Sequence, residues 1–363
     1  MSRTIYVVVD ILPAGGDSLT TTDDAAPNAW VAGPPGRSEA ESVRTDVHAH
    51  LWSEEYLRLL DSYGRDDTGT ARGLGAGDGE AELGTRFAMN DAAGIEHQIL
   101  SVSPQTPYFP DETHAVTAAR LANDHYAEVV RAWPERFSAF AALPLPHLDA
   151  SLKELTRALD ELGMAGAGVT TSVLGRSLGD PLFAPVLEEL DRRGSVLSLH
   201  PAGRDAGTPL IAENRMRWMV GAPMEDTICA MHLMLEGIPS RYPRLRIVHS
   251  HLGGALPMLL PRADEHIPWE APDIPELPTV AARRMYYDTV AHGHEPALRA
   301  AAESFGPDRL MLGTDFPYQT GAGLRRAVTF IEETLMPEAA EEVLEAGAGL
   351  LPQGRDREGG QRV

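Results

Sequence analysis

Thr45-Asp46-Val47-His48-Ala49-His50 places two histidines one residue apart at the end of a short apolar run beginning at Val43. Residues i and i+2 of a strand share a face, so both imidazoles can point the same way. Three later stretches answer them. Val196-Leu197-Ser198-Leu199-His200, Arg246-Ile247-Val248-His249-Ser250-His251 and Leu310-Met311-Leu312-Gly313-Thr314-Asp315 each finish an apolar run on a polar group. If the strands run parallel, those ends lie on one face, where the imidazoles and the carboxylate can converge on a single metal ion. Neutral imidazole with carboxylate suits one divalent ion, zinc first, with Mn2+, Fe2+ or Co2+ fitting a similar site.

Working outward, eight apolar runs are candidate strands: Val43 to Val47, His97 to Val102, Ser138 to Leu145, Ala167 to Thr171, Ser195 to Leu199, Leu245 to Ser250, Met285 to Val290 and Arg309 to Gly313. Such runs, alternating with helical stretches, read as parallel strands buried on both faces. Glu112 to Trp133 carries Ala115, Ala119, Ala122, Tyr126, Val129 and Trp133 at helical spacing, and Pro181 to Arg193 presents Leu182, Val186, Leu187 and Leu190 on one face. Eight units of this kind predict an α/β fold, a (β/α)8 TIM barrel over 44–351 forming a single catalytic domain. Residues 1–43 read as a loosely structured N-terminal extension in which only Thr4 to Leu12 is strand-like, and 352–363 as a disordered tail.

Composition narrows the function classes. The 363 residues hold 31 basic and 53 acidic side chains, a formal charge of -22, which opposes a phosphate-backbone partner and predicts no nucleic-acid binding. No apolar run approaches the roughly 18 residues of a membrane span, and Met1 to Leu12 lacks a strong basic n-region and a cleavage signal. Cys229 is the lone cysteine, which excludes an intrachain disulfide and a multi-thiolate zinc site and suits a reducing cytoplasm. Lys153 is the lone lysine, opposite a stripe of Leu152, Leu155, Leu159 and Leu162, so it faces water. With no lysine placed to bridge two ions as a carbamate, a mononuclear centre is expected.

Other chemistries lack their signatures. No Gly-x-Gly-x-x-Gly run follows a strand, and no Gly-x-Ser-x-Gly elbow is present. Met231, Met234, Leu233 and Leu235 read as a buried helix, and Glu332-Glu333 as part of a solvated helical face. The Gly-, Asp- and Ala-rich stretch from Asp61 to Arg86 reads as a surface insertion, or else as a lid from which Arg65, Arg72 or Arg86 reaches substrate. His249 shares the face of His251 by alternation and reads as a hydrogen-bonded core residue.

Asp46-Val47-His48-Ala49-His50, Leu199-His200-Pro201, His251-Leu252-Gly253-Gly254-Ala255-Leu256-Pro257 and Gly313-Thr314-Asp315-Phe316-Pro317 together resemble the amidohydrolase superfamily, in particular its aminocarboxymuconate semialdehyde decarboxylase-like branch. The resemblance spans roughly 44–350. It implies that His48, His50, His200 and Asp315 hold the metal and that His251 is the catalytic acid/base beside a metal-bound water. It also implies that Arg262, eleven residues after His251, holds a substrate carboxylate across a homodimer interface, and that Trp218 lines the substrate pocket. A Lys and Arg pair of that branch has no counterpart in 61–86, where lysine is absent, which leaves the substrate's identity open.

The expected activity is nonoxidative decarboxylation of an unsaturated or aromatic carboxylic acid, a small-molecule carboxylate, with no organic cofactor. The same ligands would serve a hydrolase of a lactone, ester or amide. A noncatalytic barrel would have little reason to carry the ligands and the acid/base together.

Overall fold

All eight runs become parallel strands in the computed structural model, which describes residues 43–352. They are β1 (Thr45–His50), β2 (His97–Ser101), β3 (Phe137–Ala142), β4 (Gly166–Thr170), β5 (Val196–His200), β6 (Arg246–His249), β7 (Tyr286–Asp288) and β8 (Leu310–Met311). Each pairs with its neighbours in chain order within one eight-stranded sheet. The sheet closes on itself: the Val47 N–H donates to the Leu312 carbonyl (2.9 Å), the Asp315 N–H to His48 (2.8 Å) and the His50 N–H to Phe316 (2.8 Å). Apolar side chains such as Ile99, Phe140, Leu197, Val248 and Leu310 are buried throughout, as strands covered on both faces require. The extension at 1–43 and the tail at 352–363 expected from the sequence lie, apart from their boundary residues, outside the described residues.

Strand limits shift for identifiable reasons. β1 runs on through both histidines, because Ala49 and His50 continue the ladder to Leu100 and Ser101 after a register slip between Asp46 and Ala49. β7 and β8 are shorter than their apolar runs. Side chains take over the backbone bonds there: Asp288 accepts the Val290 N–H (3.0 Å) and Thr289 Oγ1 accepts that of Gly313 (3.2 Å).

Between strands the helices present the expected stripes. Glu112–Ala132, capped by Asp111 on the His114 N–H, buries Ala115, Ala119, Ala122, Tyr126 and Val129. Trp133 ends that helix, is 44% exposed and packs against Phe87 and not in the core. Pro181–Phe183 forms a single 3-10 turn before the helix Ala184–Arg193, whose buried face is Val186, Leu187 and Leu190. Lys153 is exposed. No helix among the described residues is long and apolar enough to cross a membrane.

The stretch from Asp61 to Arg86 is more firmly built than its composition predicts. Ala71 and Ala76 join the core, and the Trp52 N–H donates to the Ala76 carbonyl (3.0 Å). Each arginine is engaged by protein acceptors: Arg65 by Asp67, Gln105 and Thr106, Arg72 by Glu54, Asp61 and Thr68, and Arg86 by Gln98 Oε1 (2.7 Å) and the His50 carbonyl (2.9 Å). Arg86 is 1% exposed, its guanidinium stacked over Phe316 and Phe137. Removing it would leave a carbonyl of β1 without its charged donor and open a cavity beneath the site. Arg86→Ala is therefore expected to cost about 3 kcal/mol or more, read as a lower denaturant midpoint at unchanged slope.

Candidate metal centre

Parallel strands present all their C-terminal ends on one rim, and here that rim gathers the polar groups. His48 and His50 project from β1, His200 ends β5, and Asp315 lies in the segment after β8. One potential ligand atom from each falls within 4.8 Å of every other. Asp315 Oδ1 stands 3.2 Å from His50 Nε2 and 3.3 Å from His48 Nε2. Donors about 2.1 Å from a common ion stand at about this separation in a tetrahedral shell.

The ring orientations fit that use. Nδ1 of His48 faces Asp288 Oδ2 (2.7 Å), Nδ1 of His200 the Pro201 carbonyl (2.8 Å) and Nδ1 of His50 the Ser101 carbonyl (3.4 Å). Because all three partners accept only, the proton belongs on Nδ1, leaving Nε2 with a lone pair toward the centre. Among the described residues His48 Nε2 is buried without a well-formed hydrogen bond, the Asp315 oxygen lying 3.3 Å away. Burial, then the neighbouring imidazoles, holds His200 well below the usual histidine range, and burial lowers His50, so these two are neutral as ligation requires. Burial alone would also lower His48, but Asp288 and Asp315 outweigh it and raise it to about 10. That field favours a positive charge at this point, and a divalent cation meets the same attraction. Asp315 is held well below the usual carboxylate range by His48, His251 and His50 against the effect of burial.

His251 stands beside this set. Its Nδ1 lies 2.8 Å from Asp226 Oδ2 and its Nε2 4.0 Å from Asp315 Oδ2, while its backbone N–H donates to Asp288 Oδ1 (2.9 Å). Burial opposes its charge, but Asp226 and Asp315 lift it well above the ordinary range. The turn is tight: His251 and Leu252 both take left-handed backbone, and a side chain at Gly254 would run into the Pro223 carbonyl.

Trp218 sits in the single wide turn Arg217–Gly221, 43% exposed, its indole over Gly203 of the loop that follows His200. Trp52 stacks on His50 (5.3 Å between ring centres) and the Tyr318 ring lies 5.9 Å from it, so aromatic rings flank the centre. Arg262 is not brought to the centre within one chain. It is exposed on the helix Leu256–Glu270, without a hydrogen bond or ion pair among the described residues.

Some participants escaped the sequence reading. Asp288 lies inside the run Met285 to Val290, and an acid within a candidate buried strand is a signal that could have singled it out. Asp226, just past the first turn of the helix Ala222–Leu235, carries no comparable mark. His249 departs from expectation: it is buried and stacked on Tyr287 (5.7 Å), but neither ring nitrogen has a partner among the described residues. Burial pushes it down to about 3, so it behaves as an apolar filler.

The geometry makes two predictions about ion binding. Asp315→Ala is expected to abolish retention of a divalent ion through dialysis, and Asp288→Asn to weaken affinity about 10- to 100-fold by freeing the His48 ring. Metal analysis of the dialysed proteins checks both, and full retention by Asp315→Ala would exclude this centre.

Comparison with known proteins places the chain. The amidohydrolase family pattern matches residues 45–347. A 2-amino-3-carboxymuconate-6-semialdehyde decarboxylase of Dictyostelium discoideum is 27% identical over 301 residues, covering 77% of this chain and 83% of that one. A 6-methylsalicylic acid decarboxylase of Penicillium expansum is 30% identical over 315 residues, covering 85% and 95%. Among solved structures, a dihydroxybenzoic acid decarboxylase from Polaromonas sp. with bound manganese and 2-nitroresorcinol superposes with a TM-score of 0.71 at 27% identity, covering 85% of this chain and 97% of that one. The chain belongs to the amidohydrolase family, in the branch of these decarboxylase relatives.

Proposed function

We propose that the protein is a metal-dependent, nonoxidative decarboxylase of an aromatic or unsaturated carboxylic acid. One observation carries the reading: a histidine fixed by a buried aspartate stands beside, and outside, a three-histidine and aspartate donor set. His48, His50, His200 and Asp315 would hold one divalent ion. Zinc suits the donors, and manganese is the ion bound in the Polaromonas relative. When bound, the ion supplies a positive charge that orients the substrate carboxylate and stabilises negative charge developing next to it.

Asp226 keeps the Nδ1–H of His251 directed at itself, so that Nε2 faces the centre. A doubly protonated His251 donates the Nε2 proton to the ring carbon that bears the carboxylate. The bond from that carbon to the carboxylate then breaks, carbon dioxide leaves, and the bonding pair returns to the ring. The balance is one carboxylate and one proton in, one arene and one carbon dioxide out, with no redox change. Trp218 would form one wall for the flat substrate. Burial in the rim excludes water that would compete for the proton.

Arg262 serves this reading from a second copy of the chain. Met258, Arg262 and Trp269 share one face of their helix, and the two apolar residues are 74% and 75% exposed, which suits a homodimer contact there. Cys229, buried and unpaired, suits the cytoplasm.

Hydrolysis of an ester, lactone or amide by the same donors is the competing chemistry. The decarboxylase relatives favour loss of carbon dioxide, and product analysis separates the two. Metal-loaded protein given a panel of hydroxybenzoic and dienoic acids is expected to release carbon dioxide from at least one. Release of an alcohol or amine from esters and amides, with no carbon dioxide from any acid, would establish the hydrolase instead. His251→Asn is expected to lower turnover about 100- to 10,000-fold with metal content intact; full turnover would remove His251 from its role.

A further inference from the structure

Next to Asp226 in the same helical turn, Glu225 is 7% exposed and faces the other way, toward the loop that leaves β5. Its carboxylate accepts four consecutive-region backbone N–H groups: Ala202 (2.6 Å) and Gly203 (3.0 Å) on Oε2, Arg204 (2.5 Å) and Ala206 (3.2 Å) on Oε1. The Thr171 hydroxyl, one residue past β4, adds a fifth donor (3.2 Å) and accepts the Ala202 N–H in turn (3.1 Å).

The loop could not hold this shape unaided. Gly203, Asp205, Ala206 and Gly207 all take left-handed backbone, with φ of 67°, 58°, 47° and 72°, and two of these carry side chains that disfavour it. Both oxygens of one carboxylate gather the amides that such a winding turns inward. Asp205 then grips Arg217 through two bonds (2.9 and 3.1 Å), tying the loop to the turn that carries Trp218. The contact is close: a Cβ at Gly203 would lie 2.8 Å from the indole.

We propose that Glu225 is a positioning residue for substrate: it clamps the 202–206 loop in the one shape that seats Trp218 at the barrel mouth, and so sets substrate affinity and not the chemical step. This rests on the reading that the acid enters at this rim. The separation from chemistry follows from the bonding. The backbone of His200 is held by the ladder to Thr170 and by the Thr171 N–H on its carbonyl (2.8 Å), and His251 by Asp226; the one shared link is the Pro201–Ala202 peptide, whose carbonyl faces His200 Nδ1 and whose N–H keeps Thr171 Oγ1 (3.1 Å) as a second acceptor without Glu225.

Glu225→Gln tests the clamp, because an amide group would face N–H donors on one side. Hydrogen exchange of the metal-loaded protein is expected to speed at the amides of 202, 203, 204 and 206, with metal content unchanged. Calorimetry with 2-nitroresorcinol, an unreactive aromatic anion, is expected to show affinity falling about tenfold. With a turned-over acid, KM should rise by a similar factor while kcat stays within about threefold. Gly203→Ala, which keeps Glu225 and displaces the indole, should weaken the same probe alike and covers the case in which Glu225→Gln does not fold. Loss of metal, a fall in kcat at constant KM, or unchanged probe affinity in both variants would overturn the proposal. Exchange and calorimetry need no catalysis, so they report on Glu225 even if the protein decarboxylates none of the acids offered.

Discussion

The seam between the first and last strands is the constraint on which the site depends, and one buried carboxylate holds it. Asp46 is wholly enclosed, yet four donors reach it: the N–H groups of His48 (3.0 Å) and Thr314 (3.0 Å), the Thr314 hydroxyl (2.6 Å) and the Gln98 amide (2.7 Å). An unpaired charge at this depth would be strongly destabilising; with four donors, the lost hydration is largely replaced. The consequence is geometric. Asp46 fixes the segment before Asp315 against the segment before His48, and Gln98 extends the same bond to β2 and on to Arg86. Residues more than 260 positions apart in the chain thereby meet within hydrogen-bond distance. An open sheet of the same strands would leave Asp315 at an edge, away from both histidines.

Above the seam, the rim carries strain that the surrounding bonds sustain. His251 and Asp315 both occupy left-handed backbone, at φ of 53° and 60°, where residues with a Cβ are disfavoured. Each is pinned at its own amide, His251 by Asp288 and Asp315 by the His48 carbonyl. Asp288 has the wider role: one oxygen orients the His48 ring, the other takes the amides of His251 and Val290. A single side chain thus sets the distance between the candidate ligand and the candidate acid, which explains why β7 gives up its ladder after three residues. Rigid placement of this sort is what a proton transfer over a fixed path requires.

How much of this was legible in the chain follows from the range of each signal. Apolar runs and helical stripes are local, so the eight strands, their order and the barrel were readable, as was the gathering of His48, His50, His200 and Asp315, each at or near the end of its own run. Strand limits were less so, since a side chain such as Asp288 or Thr289 captures backbone bonds only once a distant segment is in place. Asp226 and Glu225 were illegible for a related reason. Near the start of a helix two acids read as favourable partners of the helix dipole and nothing more, and their partners lie 19 to 54 residues away on other elements. Arg86 misled in the opposite sense: at the close of a Gly-rich stretch it read as part of a surface insertion, or else of a lid reaching substrate, whereas the closed barrel buries it under β1.

Charge balance finally bears on how an anionic substrate enters so acidic a protein. Asp226, Asp288 and Asp315 gather around His48 and His251, and Glu225, next to Asp226, faces the β5 loop, within a chain of net charge -22. The amides of the β5 loop and the histidines answer these carboxylates, but leave little positive potential for another. On the proposed reading, the incoming carboxylate needs the divalent ion for binding as well as for stabilising charge in the reaction, with Arg262 of a second copy supplying what the rim of one chain lacks. Local charges of this kind outweigh a distant acidic surface, because salt screens the latter within about 10 Å while a buried centre is screened far less. Acidity of the whole and anion binding at the mouth are therefore compatible, provided that the ion arrives first.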